Sequence, residues 1–223
     1  MPQPISIQPV PSGPVLAIDG NMQTGSHMAA RTSLRPIDLG ILGSYSLTAT
    51  TGTIAAGLGA IFVASFRWTD ILRLCLVRRV QVSSAWVATA FTAGAVVMEL
   101  LNARAYTVND LAGGTLTTVA GNSAKRRSSH GNTLLGGLTV STTGAISGGT
   151  KTVDANPIAC IAKSLPAVGG APVFDPADLW TNEAGKYPIV LSTMEGLLVR
   201  ATAPATGTYN VTVTVEWDEV FTY

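Results

Sequence analysis

The sequence predicts an all-β protein: an antiparallel β-sandwich of jelly-roll-like design with an extended, Pro-rich N-terminal arm. Three observations predict it. In Tyr209-Asn210-Val211-Thr212-Val213-Thr214-Val215-Glu216-Trp217-Asp218 every odd position is apolar and every even one polar, the period-2 pattern of a strand with one face on a core. Turn signals at Asn109-Asp110, Gly113-Gly114, Gly148-Gly149, Gly169-Gly170 and 203–207 recur at the spacing of sandwiches and barrels. Apolar residues make up 47% of the 223 and charged ones only 12%, about half the usual quarter, which fits many short buried strands under a surface of Ser, Thr and Gly.

Residues 1–39 read as the arm and 40–223 as the sandwich domain. Residues 1–30 hold Pro2, Pro4, Pro9, Pro11 and Pro14, with Asp19 as the sole charged side chain, so regular helix and interior strand are both excluded there. Prolonged exposure to water poorly explains Ile5, Ile7, Val10, Val15, Leu16 and Ile18. The expectation is that another chain covers them.

Within the domain, strands are expected over 44–49, 60–68, 95–102, 115–119, 137–142, 157–163, 188–191 and 196–201, where β-branched and apolar residues alternate between turns. Leu72, Leu74, Leu76, Val80 and Val82 are assigned one face of a further strand. Arg78 interrupts that face, and a bulge near Arg78-Arg79 resolves the pattern. The stretch 83–104 competes as a helix but is weakened by Gly94 and its β-branched neighbours. A short helix over 176–182, capped by Asp175 ahead of Pro176, is expected as an ornament on the sheets. Gly57-Leu58-Gly59 lacks the third glycine and following helix of a dinucleotide fingerprint, and reads as the turn leading into a strand.

Charge and motif content narrow the function classes. With 14 basic and 13 acidic residues the formal net charge is +1, so no global field attracts free nucleic acid or an anionic membrane. The one dense basic run, Lys125-Arg126-Arg127, reads as a solvated loop tip, with phosphate binding as the alternative. Residues 40–66 and 80–98 lack charge but are studded with Ser, Thr, Gly and Gln, unlike the run of about 20 apolar residues a membrane span needs. The N-terminus has no basic segment followed by a continuous apolar one, which points to synthesis in a cytoplasm. Cys75 and Cys160 form no CxxC pair and are expected to be buried, reduced thiols.

Catalytic material is sparse. Only His27 and His130 exist, and HExxH, GxSxG and P-loop patterns are missing, so no catalytic, cofactor or metal residue is assigned and the chain is read as a non-enzyme, with a hydrolase as the alternative from another class. Glu216, Asp218 and Glu219 are read as a solvated strand face, the alternative being a cation or acid/base site. On that reading Asp218→Asn is nearly silent. Trp217 belongs to the core, whereas Trp180 and Tyr187, in a segment read as loop, are candidate exposed anchors for a partner.

Three segments carry a likeness: SFRWTDILRLCLVRRVQVS at 65–83, KTVDANPIA at 151–159 and EGLLVRATAPATGTYNVTVTVEWDEV at 195–220. With them, the chain from about residue 40 onward resembles a family of tailed-bacteriophage virion structural proteins. The resemblance implies a β-sandwich, present in many copies in the virion and made in the host bacterial cytoplasm. The implied role is to decorate or cement the phage capsid through subunit–subunit contacts, as a trimer or other small homo-oligomer bound to the major capsid protein or other virion subunits. A tail, collar or fibre component, or a host-surface carbohydrate-binding module, is the alternative.

Overall fold

The computed structural model describes residues 41–119, 124–165, 174–182 and 187–221. They form two antiparallel sheets and, among the described residues, no helix. Thirteen strands follow in order: β1 (Ile41–Thr50), β2 (Ile54–Ala55), β3 (Ala60–Trp68), β4 (Leu74–Trp86), β5 (Gly94–Arg104), β6 (Gly114–Thr117), β7 (Leu135–Ser141), β8 (Thr152–Val153), β9 (Ala159–Leu165), β10 (Phe174–Thr181), β11 (Ile189–Leu191), β12 (Gly196–Thr202) and β13 (Thr208–Val220).

Eight of them define the topology. β1 pairs β13, β3 pairs β12, β4 pairs β10 and β5 pairs β9, all antiparallel. Nested pairing of this kind is one long hairpin folded over on itself. Two further pairings, β13 with β4 and β12 with β5, close it into sheets of order β1-β13-β4-β10 and β3-β12-β5-β9. That is the jelly-roll arrangement. The short β2 and β11 extend the first sheet; β6, β7 and β8 belong to a long insertion between β5 and β9, whose β6–β7 hairpin extends the second sheet beyond β3.

The core lies between the sheets and follows from the alternation. On β13, Tyr209, Val211, Val213, Val215 and Trp217 are all buried, while Thr212 and Thr214 face outward. There their hydroxyls meet those of Thr50 and Thr48 at 2.9 Å each. Trp217 is wholly buried, stacked on Tyr45 (ring centroids 5.5 Å) and edge-on to Phe66 (5.2 Å). A gap between the sheets, bordered by Phe66, Leu138 and Val213, measures about 10 Å³, at the lower limit for one water.

A second small cluster, Leu101, Ala103, Tyr106 and Leu198, packs with Phe62 and Val153. It occupies the other face of the second sheet, beneath the β5–β9 insertion. One carboxylate pins that insertion: Asp110, wholly buried, accepts from Lys151 Nζ at 2.5 Å, Tyr106 Oη at 2.5 Å and Gly149 N at 3.0 Å. Burial alone would raise the Asp110 pKa, but the three donors and the nearby ammonium outweigh it and hold the carboxyl below its ordinary value.

Several expectations from sequence are corrected. The bulge expected near Arg78-Arg79 is present, at Arg78, since Arg79 pairs Glu216 while Val77 pairs Trp217; what it corrects is the assignment of faces. Its effect is to switch faces: Cys75 and Val77 point into the core before it, and Val80 and Val82 after it, so Leu72, Leu74 and Leu76 do not share the face of Val80 and Val82. Residues 174–181 are strand β10, not a helix. This is an edge strand with a register shift between Phe174 and Ala177, the setting in which a sheet tolerates a proline such as Pro176. The 83–104 stretch is likewise the end of β4 and all of β5. The turn at Gly57-Leu58-Gly59 does lead into β3, with both glycines at positive φ (79° and 71°) and a Cβ on Gly57 falling 2.5 Å from the Ala205 carbonyl oxygen.

Candidate assembly surface

Ionisable groups divide into those that serve the fold and those at its rim. Asp218 and Glu219 belong to the first kind, which corrects their reading as a solvated face. Asp218 is buried and accepts from Arg78 Nε. Glu219, at the odd position that continues the Trp217 face, is fully buried and accepts from Thr133 Oγ1 at 2.6 Å and Leu134 N at 3.0 Å. Desolvation raises its pKa, opposed by those two donors, by the Trp217 indole and by Arg73. Its Oε2 and the Trp217 Nε1 nevertheless lack hydrogen-bond partners in good geometry. Glu216 alone lies at the rim, 2.5 Å from Arg126.

That ion pair also corrects the reading of the basic run. The segment around Lys125 lies along the outer edge of β1: Ser46 N donates to the Ala124 carbonyl at 2.8 Å, Arg126 N to the Ser44 carbonyl at 3.0 Å, and Ser44 N to His130 Nδ1 at 3.0 Å. Ala124 is buried. The segment covers part of an otherwise open strand edge.

Trp180 and Tyr187 separate. Trp180 sits on β10, half-buried and packed against the main core, so it is not an exposed anchor. Tyr187 is 86% exposed. The arm residues Ile5, Ile7, Val10, Val15, Leu16 and Ile18 lie outside the described residues.

The structure adds a feature that sequence reading missed. At the end of the sandwich where β1 begins and β13 finishes, the β3–β4 turn displays Ile71 and Leu72 at 79% and 73% exposure. The turn is held firmly. Asp70 Oδ1 accepts from Leu72 N at 2.9 Å and Arg73 N at 2.6 Å, Trp68 Nε1 donates to the Arg73 carbonyl at 2.9 Å, and Thr193 Oγ1 donates to the Asp70 carbonyl. Phe221, 56% exposed, stands beside them with the Arg73 guanidinium 5.6 Å from its ring centre. Together with Leu74, Ser192 and Thr193 these residues line an open notch of about 460 Å³.

No group of three or more His, Cys, Asp or Glu side chains among the described residues is placed to hold a metal ion. No described helix is long and apolar enough to cross a membrane. Both cysteines are free, as expected, but only Cys75 is buried; Cys160 is exposed on β9. Burial, with Glu219 and Asp218 nearby, pushes the Cys75 thiol well up. Ellman's reagent is therefore expected to label one thiol promptly in the native protein and the second only in denaturant. Prompt labelling of both would contradict the buried site.

The class these features define is an antiparallel jelly-roll β-sandwich with an open notch, bordered by the exposed Ile71, Leu72 and Phe221, at the end where β1 begins and β13 finishes. The chain matches no model of a known protein family and no curated protein.

Proposed function

We propose that this protein is a structural subunit of a tailed-phage particle, working through subunit–subunit contacts as a capsid decoration or cement protein. The observation that carries the reading is the pairing of a closed jelly roll with a rigid turn that holds large aliphatic side chains in water. Monomeric proteins rarely keep such groups exposed side by side, and contiguous exposed apolar surface marks contact with another macromolecule. The likeness of 65–83, 151–159 and 195–220 to phage virion proteins supplies the context. Fold alone supplies less, because jelly rolls serve capsids and lectins alike.

Sugar binding is the less favoured role. Of the described aromatic side chains, Trp68 and Trp217 are buried and Trp180 packs on the core, leaving Tyr187 and Phe221 as the exposed rings. A carbohydrate platform would stack several. The partners are other copies of this chain, as a trimer or small homo-oligomer, and the major capsid protein. The test is co-sedimentation of the full chain with particles assembled without it. Saturable binding in fixed ratio to the shell subunit is expected, and a protein that stays in the supernatant at all concentrations overturns the reading.

A further inference from the structure

We propose that the notch at the terminal end of the sandwich is the receptor for the N-terminal arm of a neighbouring copy, with residues 5–18 of one chain seated against Ile71, Leu72 and Phe221 of the next. The inference rests on the assembly reading above and names the contact that would carry it.

The notch is suited to an extended apolar segment. The backbone of the turn that carries its two aliphatic side chains is held by the Asp70 carboxylate, the Thr193 hydroxyl and the Trp68 indole, so little backbone order remains to be imposed on binding. Its charges are already engaged: Asp70 caps the turn, and Arg73 lies 3.7 Å from Glu219 and over the Phe221 ring. An uncharged apolar ligand therefore fits better than an ionic one.

The chain itself supplies such a ligand. Residues 1–30 carry one charged side chain, Asp19, and the apolar set Ile5, Ile7, Val10, Val15, Leu16 and Ile18. Their prolines reduce the entropy lost when such a segment is ordered along a groove. β1 begins at Ile41, which pairs with Val220, the residue before Phe221, so the first described strand starts at the end that carries the notch. The stretch from Ile18 to Ile41 reaches at most about 80 Å when extended, ample to span a neighbouring subunit. Exchange of one segment between identical chains also lets each copy give and receive the same contact, as closed homo-oligomers require.

The experiment uses the full chain with Cys160→Ser, which removes the exposed native thiol and leaves the buried Cys75. One population carries Leu72→Cys and the other Val10→Cys, and the two are mixed under mild oxidation. A disulfide joining positions 10 and 72 of different chains, identified by mass spectrometry, is expected. In parallel, Ile71→Ser with Leu72→Ser is expected to weaken self-association about tenfold or more, with an unchanged circular dichroism spectrum and melting temperature because both side chains are largely in water. Self-association equal to that of the unaltered protein overturns the proposal. A 10–72 disulfide formed only within a doubly substituted chain, at dilutions where the protein is monomeric, overturns it too, since the arm then folds onto its own domain. Neither outcome touches the assembly reading as long as the unaltered chain sediments with particles. Failure of that sedimentation removes the assembly reading itself.

Discussion

Trp217→Ala is expected to cost about 3–5 kcal/mol, enough to abolish soluble expression of a domain of ordinary marginal stability. The indole is completely buried, stacked on Tyr45 and edge-on to Phe66. Thr214→Ala, on the outward face of the same strand, removes only a hydroxyl contact with Thr48 and should cost well under about 1 kcal/mol. Urea unfolding of both variants measures the difference, and equal losses would mean that the register of β13 is wrong. Asp218→Asn is no longer a silent control, because the carboxylate is buried against Arg78. It should destabilise by about 1–3 kcal/mol.

Lys151→Ala should be nearly as damaging. It leaves the Asp110 carboxylate buried without its cation, and breaking one side of a buried pair costs about 3–5 kcal/mol. The pair ties Asp110 to Lys151 across the β5–β9 insertion that covers Leu101 and Leu198, so the loss should appear as loosening of that insertion as well as lower global stability. Asp110→Asn combined with Lys151→Met should recover much of it, as uncharged partners leave no bare charge. The acid dependence has a definite sign. Asp110 is held below the ordinary value of 3.8, so its contribution is present above that value and is lost as pH falls through the lower folded value. A wild-type acid-unfolding profile matched by Lys151→Ala would contradict this account, which predicts a shallower profile for the variant.

The fold was legible wherever one face of a strand met the core and the other met water. β13 is the clearest instance, and β3 was bounded correctly because glycine turns precede it and Trp68 closes it. Reading failed where tertiary context overrode a local signal. Asp175-Pro176 looks like a helix start, yet the segment lies at a sheet edge, where a proline costs the ladder little. Arg78 was placed correctly as a bulge, but the consequent switch of faces on β4 was not followed through to Leu74 and Leu76. Glu219 was grouped with Glu216 by charge, although strict alternation from Trp217 puts it inside. Thr133 and Leu134, which make that burial tolerable, lie 86 and 85 positions away in sequence. The notch was invisible for a related reason. Ile71 and Leu72 resemble any other strand residues until the Asp70 turn, fixed in part by Thr193 from the β11–β12 connection, shows them facing solvent.

The central claim, that this jelly roll is a particle subunit held by exchanged arms, is tested most directly by a cryo-EM map of native phage particles. The account predicts a jelly-roll density of this topology on the capsid surface, in many symmetry-related copies, with extended density running from the start of β1 of one copy to the Ile71–Phe221 end of the next. Absence of this chain from the purified particle, or a subunit whose terminal end faces open solvent with no neighbouring chain upon it, would contradict the account.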